Sequence, residues 1–139
     1  MYSPVISAIF ALSASSFALA QIPEPAVNVS FSTKYDNQST PVSTLVCASS
    51  LGHFTVYSAL PEFPYIAGSV NVTDGSSSDC GQCYTLEYAG NFAQIQVVDS
   101  ATEGLILSHE AYEYLTMNYT SDPSVTAYIL DGPYACKSP

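Results

Sequence analysis

Apolar and polar positions alternate with a period of two over several short runs, which predicts a mainly β chain. The clearest pair lies mid-chain. Tyr84, Leu86 and Tyr88 alternate with Thr85 and Glu87, Ala89-Gly90-Asn91 supplies turn chemistry, and Ile95 and Val97 then alternate with Gln94 and Gln96. This is the pattern of a β-hairpin with half-buried strands. Upstream, Val27, Val29, Phe31 and Thr33 alternate with Asn28, Ser30, Ser32 and Lys34 and predict a first strand; Phe54–Tyr57 is a shorter candidate. Near the far end, Val125, Ala127 and Ile129 alternate with Thr126, Tyr128 and Leu130, a last strand leading to Cys136.

Two segments carry helix signals instead. Thr40-Pro41 reads as an N-cap followed by proline at the first helical position, with Val42, Leu45 and Val46 on one face, and predicts a short helix ending near Cys47. Ser108 can cap a second helix, with Glu110 in its first turn and Ala111, Tyr112 and Leu115 facing inward. Leu60–Gly68 contains two prolines and is not expected to form a central strand. Ser69–Ser78 reads as a loop, Gly104 as a break, and Asn118–Pro123 as the turn that ends the second helix. Five or so strands with two short helices favour a small closed or Greek-key β-barrel over a βαβ sheet.

The first twenty residues stand apart. Residues 5–20 are apolar and small and end in Ala18-Leu19-Ala20, an A-x-A cleavage pattern, so residues 1–20 read as a secretory leader. The run is too short and too rich in Ser and Ala for a membrane span. Residues 21–26 read as an extended proline-bearing lead-in and 27–139 as one domain, a core of modest size.

Charge narrows the ligand classes. Twelve acidic residues face only Lys34 and Lys137, a net charge of −10. There is no basic patch for nucleic acid or an anionic membrane, and acidic polysaccharides are disfavoured. With 47% hydrophobic residues and eleven tyrosines, the composition is that of a folded chain. No phosphate-binding, dinucleotide or nucleophile-elbow motif is present, so no cofactor is expected. His53 and His109 lack a partner motif and read as surface residues of a loop and a first helical turn.

Cys47, Cys80, Cys83 and Cys136 read as two disulfides, with three possible connectivities. The Cys80-Gly-Gln-Cys83 spacing lacks the strand-to-helix context of a redox motif, and two distant histidines offer little toward a metal site. Four N-x-S/T sequons, at Asn28, Asn37, Asn71 and Asn118, are candidate glycosylation sites.

Several of these landmarks occur together in one known family. Phe63–Gly68 (FPYIAG), Cys80–Tyr84 (CGQCY), Val98-Asp99-Ser100, the Gly104–Thr116 segment and the closing Cys136 resemble those of the cerato-platanins, small secreted fungal proteins. The resemblance covers residues 27–136. It implies a six-stranded double-psi β-barrel related to the expansin and barwin barrels, with Cys47 joined to Cys80 and Cys83 to Cys136. It further implies a non-catalytic protein that binds chitin-type N-acetylglucosamine oligomers or other neutral wall polysaccharides, with expansin-like loosening, surface self-assembly and elicitor or allergen behaviour; a monomer is expected of the chain itself. Asp99 falls on the family's valine-aspartate-serine motif. The chain departs from the pattern at Tyr84, where the family carries tryptophan, at Val72-Thr73-Asp74-Gly75, where a tryptophan commonly precedes the cysteine pair, and at Ala67, where glycine is usual; it has no tryptophan at all.

A neutral oligosaccharide requires donors and acceptors for its hydroxyls and a flat apolar platform for its C–H face. Asp99 and Ser100 supply the first, and Tyr65, Tyr84 or Tyr57 the second. The competing enzymatic reading is a glycoside hydrolase or lytic enzyme using Asp99, with Glu62, Asp74, Asp79, Glu103 or Asp131 as a second carboxyl. A third reading, a surface-active protein without a sugar site, places activity on exposed apolar segments such as Phe63–Ile66.

Overall fold

Strict alternation places Val29 in the core and turns Asn28 and Ser30 outward, so the first run forms β1 (Ala26–Phe31). The structure, a computed structural model, describes residues 25–118 and 120–137. The expected leader at 1–20 and most of the lead-in lie outside the described residues; Ala26, assigned to the lead-in, already pairs with Tyr128. β1 stops before Thr33 because Ser32 Oγ accepts from the Lys34 amide and starts a 3-10 turn, Thr33–Tyr35. That turn drives Tyr35 into the core and leaves Lys34 beside it at the barrel rim.

The remaining strands are β2 (Ile66–Ser69), β3 (Gln82–Tyr88), β4 (Asn91–Ser100), β5 (Leu105–Leu107) and β6 (Ser124–Ala135). They close in the order β1-β5-β2-β4-β3-β6. The β1–β5 and β2–β4 pairs are parallel and the rest antiparallel, and the fold is the expected double-psi barrel. The predicted hairpin is β3–β4. Ala89 and Gly90 both take positive φ, 49° and 82°, the backbone of a two-residue hairpin loop whose twist matches the flanking strands. β4 is longer than its alternation implies. Ile95 to Asp99 are buried on both faces, because the 3-10 segment Val46–Leu51 and the helix α1 (His109–Thr116) pack over the strand.

Four expectations need correction. Leu60–Gly68 does contribute a central strand: the prolines keep 61–65 out of the sheet, but β2 starts two residues after Pro64 and is buried throughout between β4 and β5. The segment after Gly104 is also a strand, β5, too short to show periodicity. The helix expected at 40–47 is instead two 3-10 pieces, Val42–Thr44 and Val46–Leu51, separated by Leu45 at ψ 147°. Thr44 Oγ1 bonds back to the Pro41 carbonyl and the Val46 amide is drawn to Asp99, so neither supports an α-helical ladder. Phe54–Tyr57 makes only a single bridge, Pro41 to Val56, before a 3-10 turn at Tyr57–Ala59.

Helix α1 forms as predicted, with Ser108 Oγ accepting from the Ala111 amide at 3.1 Å and Ala111, Tyr112 and Leu115 buried. The disulfides are Cys47–Cys80 and Cys83–Cys136, spanning 33 and 53 positions. Loop-closure entropy assigns them about 3.7 and about 4.2 kcal/mol. For a small barrel that contribution is comparable to a large part of the net stability.

Candidate functional site

Asp99 is the next-to-last residue of β4, and its register partner on β2 is Gly68, just after an irregularity between Ala67 and Gly68. Its side chain is almost fully enclosed, at 2% residue exposure. One carboxylate oxygen accepts from the Val46 amide at 2.9 Å; the other accepts from the Tyr35 hydroxyl at 3.1 Å and from the Lys34 ammonium. Two separate pieces of chain, the Thr33–Tyr35 turn and the Val46–Leu51 segment, therefore converge on one side chain of β4. Gly68 makes room for this, because a Cβ there would lie 2.8 Å from the Tyr35 hydroxyl and 2.5 Å from the Ser100 carbonyl.

Burial alone raises the Asp99 pKa, but the Lys34 hydrogen bond, the Val46 amide, the Lys34 charge and the Ser100 amide outweigh it and hold the carboxyl below its usual range. Asp99 is thus a fixed anion. Tyr35 is pushed far above its ordinary value by burial and by the Asp99 charge, so it stays a neutral donor. Lys34 is half-exposed and presents the rest of its ammonium to solvent. Ser100 is half-buried and pairs with Ser69.

The other predicted residues do not join this site. Tyr84 is 5% exposed, its hydroxyl donates to Asp79 at 2.6 Å, and its ring rests on Gly132, where a Cβ would lie 2.5 Å from the ring. Burial and Asp79 push its pKa up to about 12. Its ring lacks an open face for a sugar, and Tyr57, fully buried, lacks one as well. Tyr65 is half-buried but sits at the opposite end of β2, its carbonyl accepting from the Gln96 amide. It is about 10 Å along the strand from the level of Asp99.

Among the described residues, no second carboxyl is a partner of Asp99. Of the acids considered as catalytic partners, Asp79 is bonded to Tyr84, Asp74 to Ser76 and Glu103 to Asn28, while Asp131 lies on β6 opposite Thr85. Glu62 is at the other end, its carboxylate within 4.8 Å of both sulfurs of Cys83–Cys136. Because those sulfurs are bonded to each other, that cluster offers a metal a single carboxylate.

Around Tyr65 the structure assembles a group that the sequence pattern did not single out. Tyr65 and Tyr114 of α1 meet edge to face, with ring centroids 5.3 Å apart. Together with Phe92, Glu62 and Gln94 they line an open cleft of about 230 Å³. Phe92 and Tyr114 are 55% and 50% exposed. A signal was available: Phe92 occupies an outward position in phase with Gln94, and Tyr114 lies off the Ala111–Tyr112–Leu115 stripe.

His53 is exposed and its ring lies tilted against Phe54, and His109 opens α1, its amide donating to Asp36. All four sequon asparagines are exposed; Asn28 donates its side-chain amide to Glu103, and Asn37 accepts from the Ser39 amide.

Comparison with known proteins places these features. The cerato-platanin family profile matches residues 27–127. The chain is 28% identical to allergen Asp f 15 of Aspergillus fumigatus over 94 residues, covering 65% of this chain and 62% of that protein, so it spans about three fifths of that relative's length. It is 25% identical over 122 residues to the heat-stable 19 kDa antigen of Coccidioides posadasii, covering 84% of this chain and 80% of the antigen. Among solved structures, cerato-platanin 2 from M. perniciosa superposes with a TM-score of 0.69 at 26% identity, covering 76% of this chain and 92% of that one. The fungal elicitor cerato-platanin shares the fold with a TM-score of 0.63 at 20% identity, over 76% and 92% of the two chains. With the barrel order, the cysteine pairing and the buried motif aspartate in place, the chain belongs to the cerato-platanin family.

Proposed function

We propose that this protein is a secreted, non-catalytic binder of neutral wall polysaccharide, with chitin-type N-acetylglucosamine oligomers as its first ligand class. The observation that carries the reading is the Lys34–Asp99 pair, a half-exposed ammonium held at the barrel rim by a buried anion. An ammonium has three N–H donors, and those not given to Asp99 suit a sugar hydroxyl or an acetamido carbonyl. Asp99 acts by positioning Lys34, beside Ser100. A carboxylate saturated by its own chain and lacking a carboxyl partner is ill suited to acid–base hydrolysis, which needs two carboxyls at a defined separation. Two disulfides suit an oxidising extracellular setting. The relatives' names (allergen, antigen, elicitor) describe recognition by a host and fit a binding protein of the wall surface.

The test is retention on insoluble chitin combined with a reducing-end assay. Wild type is expected to be retained without generating new ends, and Lys34→Gln to be released while remaining folded. A wild type that washes through overturns the binding reading, and new reducing ends overturn the non-catalytic one.

The surface-active alternative loses the segment first assigned to it, because Ile66 is fully buried and Phe63 half-buried. The most exposed large apolar side chains among the described residues are Phe92, Tyr114 and Met117, with Val46, Val70, Tyr128 and Leu130 exposed elsewhere on the surface.

A further inference from the structure

We infer that Tyr65, Phe92 and Tyr114 form a second carbohydrate subsite, an aromatic shelf that stacks on the C–H faces of a β-linked neutral oligosaccharide, at the opposite end of β4 from Asp99. The inference rests on the polysaccharide-binding reading and deepens it.

The shelf is built by three parts of the chain. Glu62 to Tyr65 form a tight turn in which the Tyr65 amide donates to the Glu62 carbonyl at 2.7 Å, fixing those two side chains at one edge. Phe92 comes from the start of β4 and Tyr114 from the last turn of α1. Between them, the Asn91 side-chain amide donates to the carbonyls of Tyr114 and Leu115 at 2.6 and 3.1 Å. This bond ties the hairpin to the helix end and sets Tyr114 in position relative to Phe92. The platform is therefore pre-organised, which lowers the ordering cost of binding.

The chemistry selects the occupant. Aromatic faces at an open cleft accept flat apolar surface, and the two polar side chains in the cleft suit hydroxyls. Gln94 accepts the Tyr134 hydroxyl at its carbonyl, which leaves its amide nitrogen as the group able to donate, and Glu62 supplies an acceptor. Anionic ligands are disfavoured by the net charge of −10 and by Glu62, Glu110 and Glu113 in the clefts on either side of Tyr114. The same acids disfavour a second copy of the chain, which would bring like charges face to face. At about 230 Å³ the open cleft is smaller than the roughly 300–1,000 Å³ of enclosed ligand sites, as expected for a surface that grips part of a longer polymer.

The experiment is an NMR titration of the intact protein with β-1,4-linked trimers of N-acetylglucosamine and of glucose, following the Tyr65, Phe92 and Tyr114 rings and the Lys34 side chain. Stacking reads the ring face, so both trimers are expected to shift the aromatic resonances. The double variant Phe92→Ala/Tyr114→Ala is expected to weaken that response about tenfold or more. Tyr114→Phe, which keeps the ring, should bind as wild type. Shifts confined to Lys34 and its neighbours overturn the shelf and leave the polysaccharide reading standing; shifts at neither end overturn both. A double variant that binds like wild type, or a Tyr114→Phe that fails like Tyr114→Ala, also overturns the shelf. Aromatic shifts that follow protein concentration without sugar, with a doubled mass in sedimentation, reassign the surface to self-association and overturn it too.

Discussion

At the Ser100 end of β4 a buried carboxylate is surrounded by donors from its own chain, whereas at the Asn91 end two large aromatic side chains stand half or more in solvent. The first arrangement is what a polar group requires in order to be buried at all, since an ionised carboxylate without partners costs several kcal/mol. The second leaves apolar surface in water that the fold had the means to cover elsewhere. The contrast separates two uses of chemically interesting residues. Asp99 draws attention as a motif aspartate, yet much of its capacity is spent holding together β4, the Thr33–Tyr35 turn and the Val46–Leu51 segment. Phe92 and Tyr114 contribute little to the core and retain their full capacity for a ligand.

The largest effects that break the comparison come from the disulfides. Replacing Cys83 and Cys136 by serine should lower stability by about 4 kcal/mol, and replacing Cys47 and Cys80 by slightly less. Denaturant unfolding gives the totals, and amide exchange should separate the regions. Losing Cys47–Cys80 loosens the segment around Val46; losing Cys83–Cys136 loosens the β3–β6 pairing near Glu62. Next, Asp99→Ala removes an anion and leaves the Tyr35 hydroxyl and the Val46 amide without their acceptor. The expected cost is about 2–3 kcal/mol, moderated because Lys34 is half-exposed and can return to water. A stability equal to wild type would show that the enclosed carboxylate does not clamp the fold.

Titration sharpens the same contrast. The Asp99 carboxyl is held below its ordinary 3.8, so its contribution is complete above that value and is lost as pH falls through the lowered folded value. Wild type should lose stability below about pH 4 more steeply than Asp99→Asn, in urea titrations at stepped pH. In the alkaline direction Tyr84 moves from 10.0 up to about 12. Its contribution is present below pH 10 and is lost as pH rises from there toward the folded value, which Tyr84→Phe should reduce. The smallest stability effects belong to the aromatic end: Phe92→Ala and Tyr114→Ala should each stay within about 0.5 kcal/mol of wild type by thermal unfolding. A larger loss from either would place that ring in the core rather than on a shelf.

The legible parts of the molecule were those whose physics is local. The β3–β4 hairpin follows from period-two alternation around a turn, and α1 from Ser108, Glu110 and the Ala111–Tyr112–Leu115 stripe. β2 was concealed because Pro61 and Pro64 precede it directly, and β5 because three residues carry no period. The failed helix at 40–47 has a non-local cause, the Val46 amide bonding to a residue 53 positions away. The partners of Asp99 at Lys34 and Tyr35 are likewise 65 and 64 positions distant, so the strand-end aspartate was visible but its enclosure was not. The aromatic shelf draws on residues 62 to 114; Tyr65 was legible as a platform candidate, and only their outward phase marked Phe92 and Tyr114.

The pairing of β1 has a consequence for how the chain acquires its shape during synthesis. The first strand has no neighbour close in sequence: its partners are Leu105–Leu107 on one side and Ser124–Tyr128 on the other. β6 must also reach Ala135 to complete its ladder with β3, and Cys136 must be present to close the second crosslink. Contacts of such long sequence separation make folding slow relative to helical proteins of similar size. The barrel therefore closes only after nearly the whole chain has been made. Until then its N-terminal strand remains unpaired, and the second crosslink waits on the last residues of the barrel.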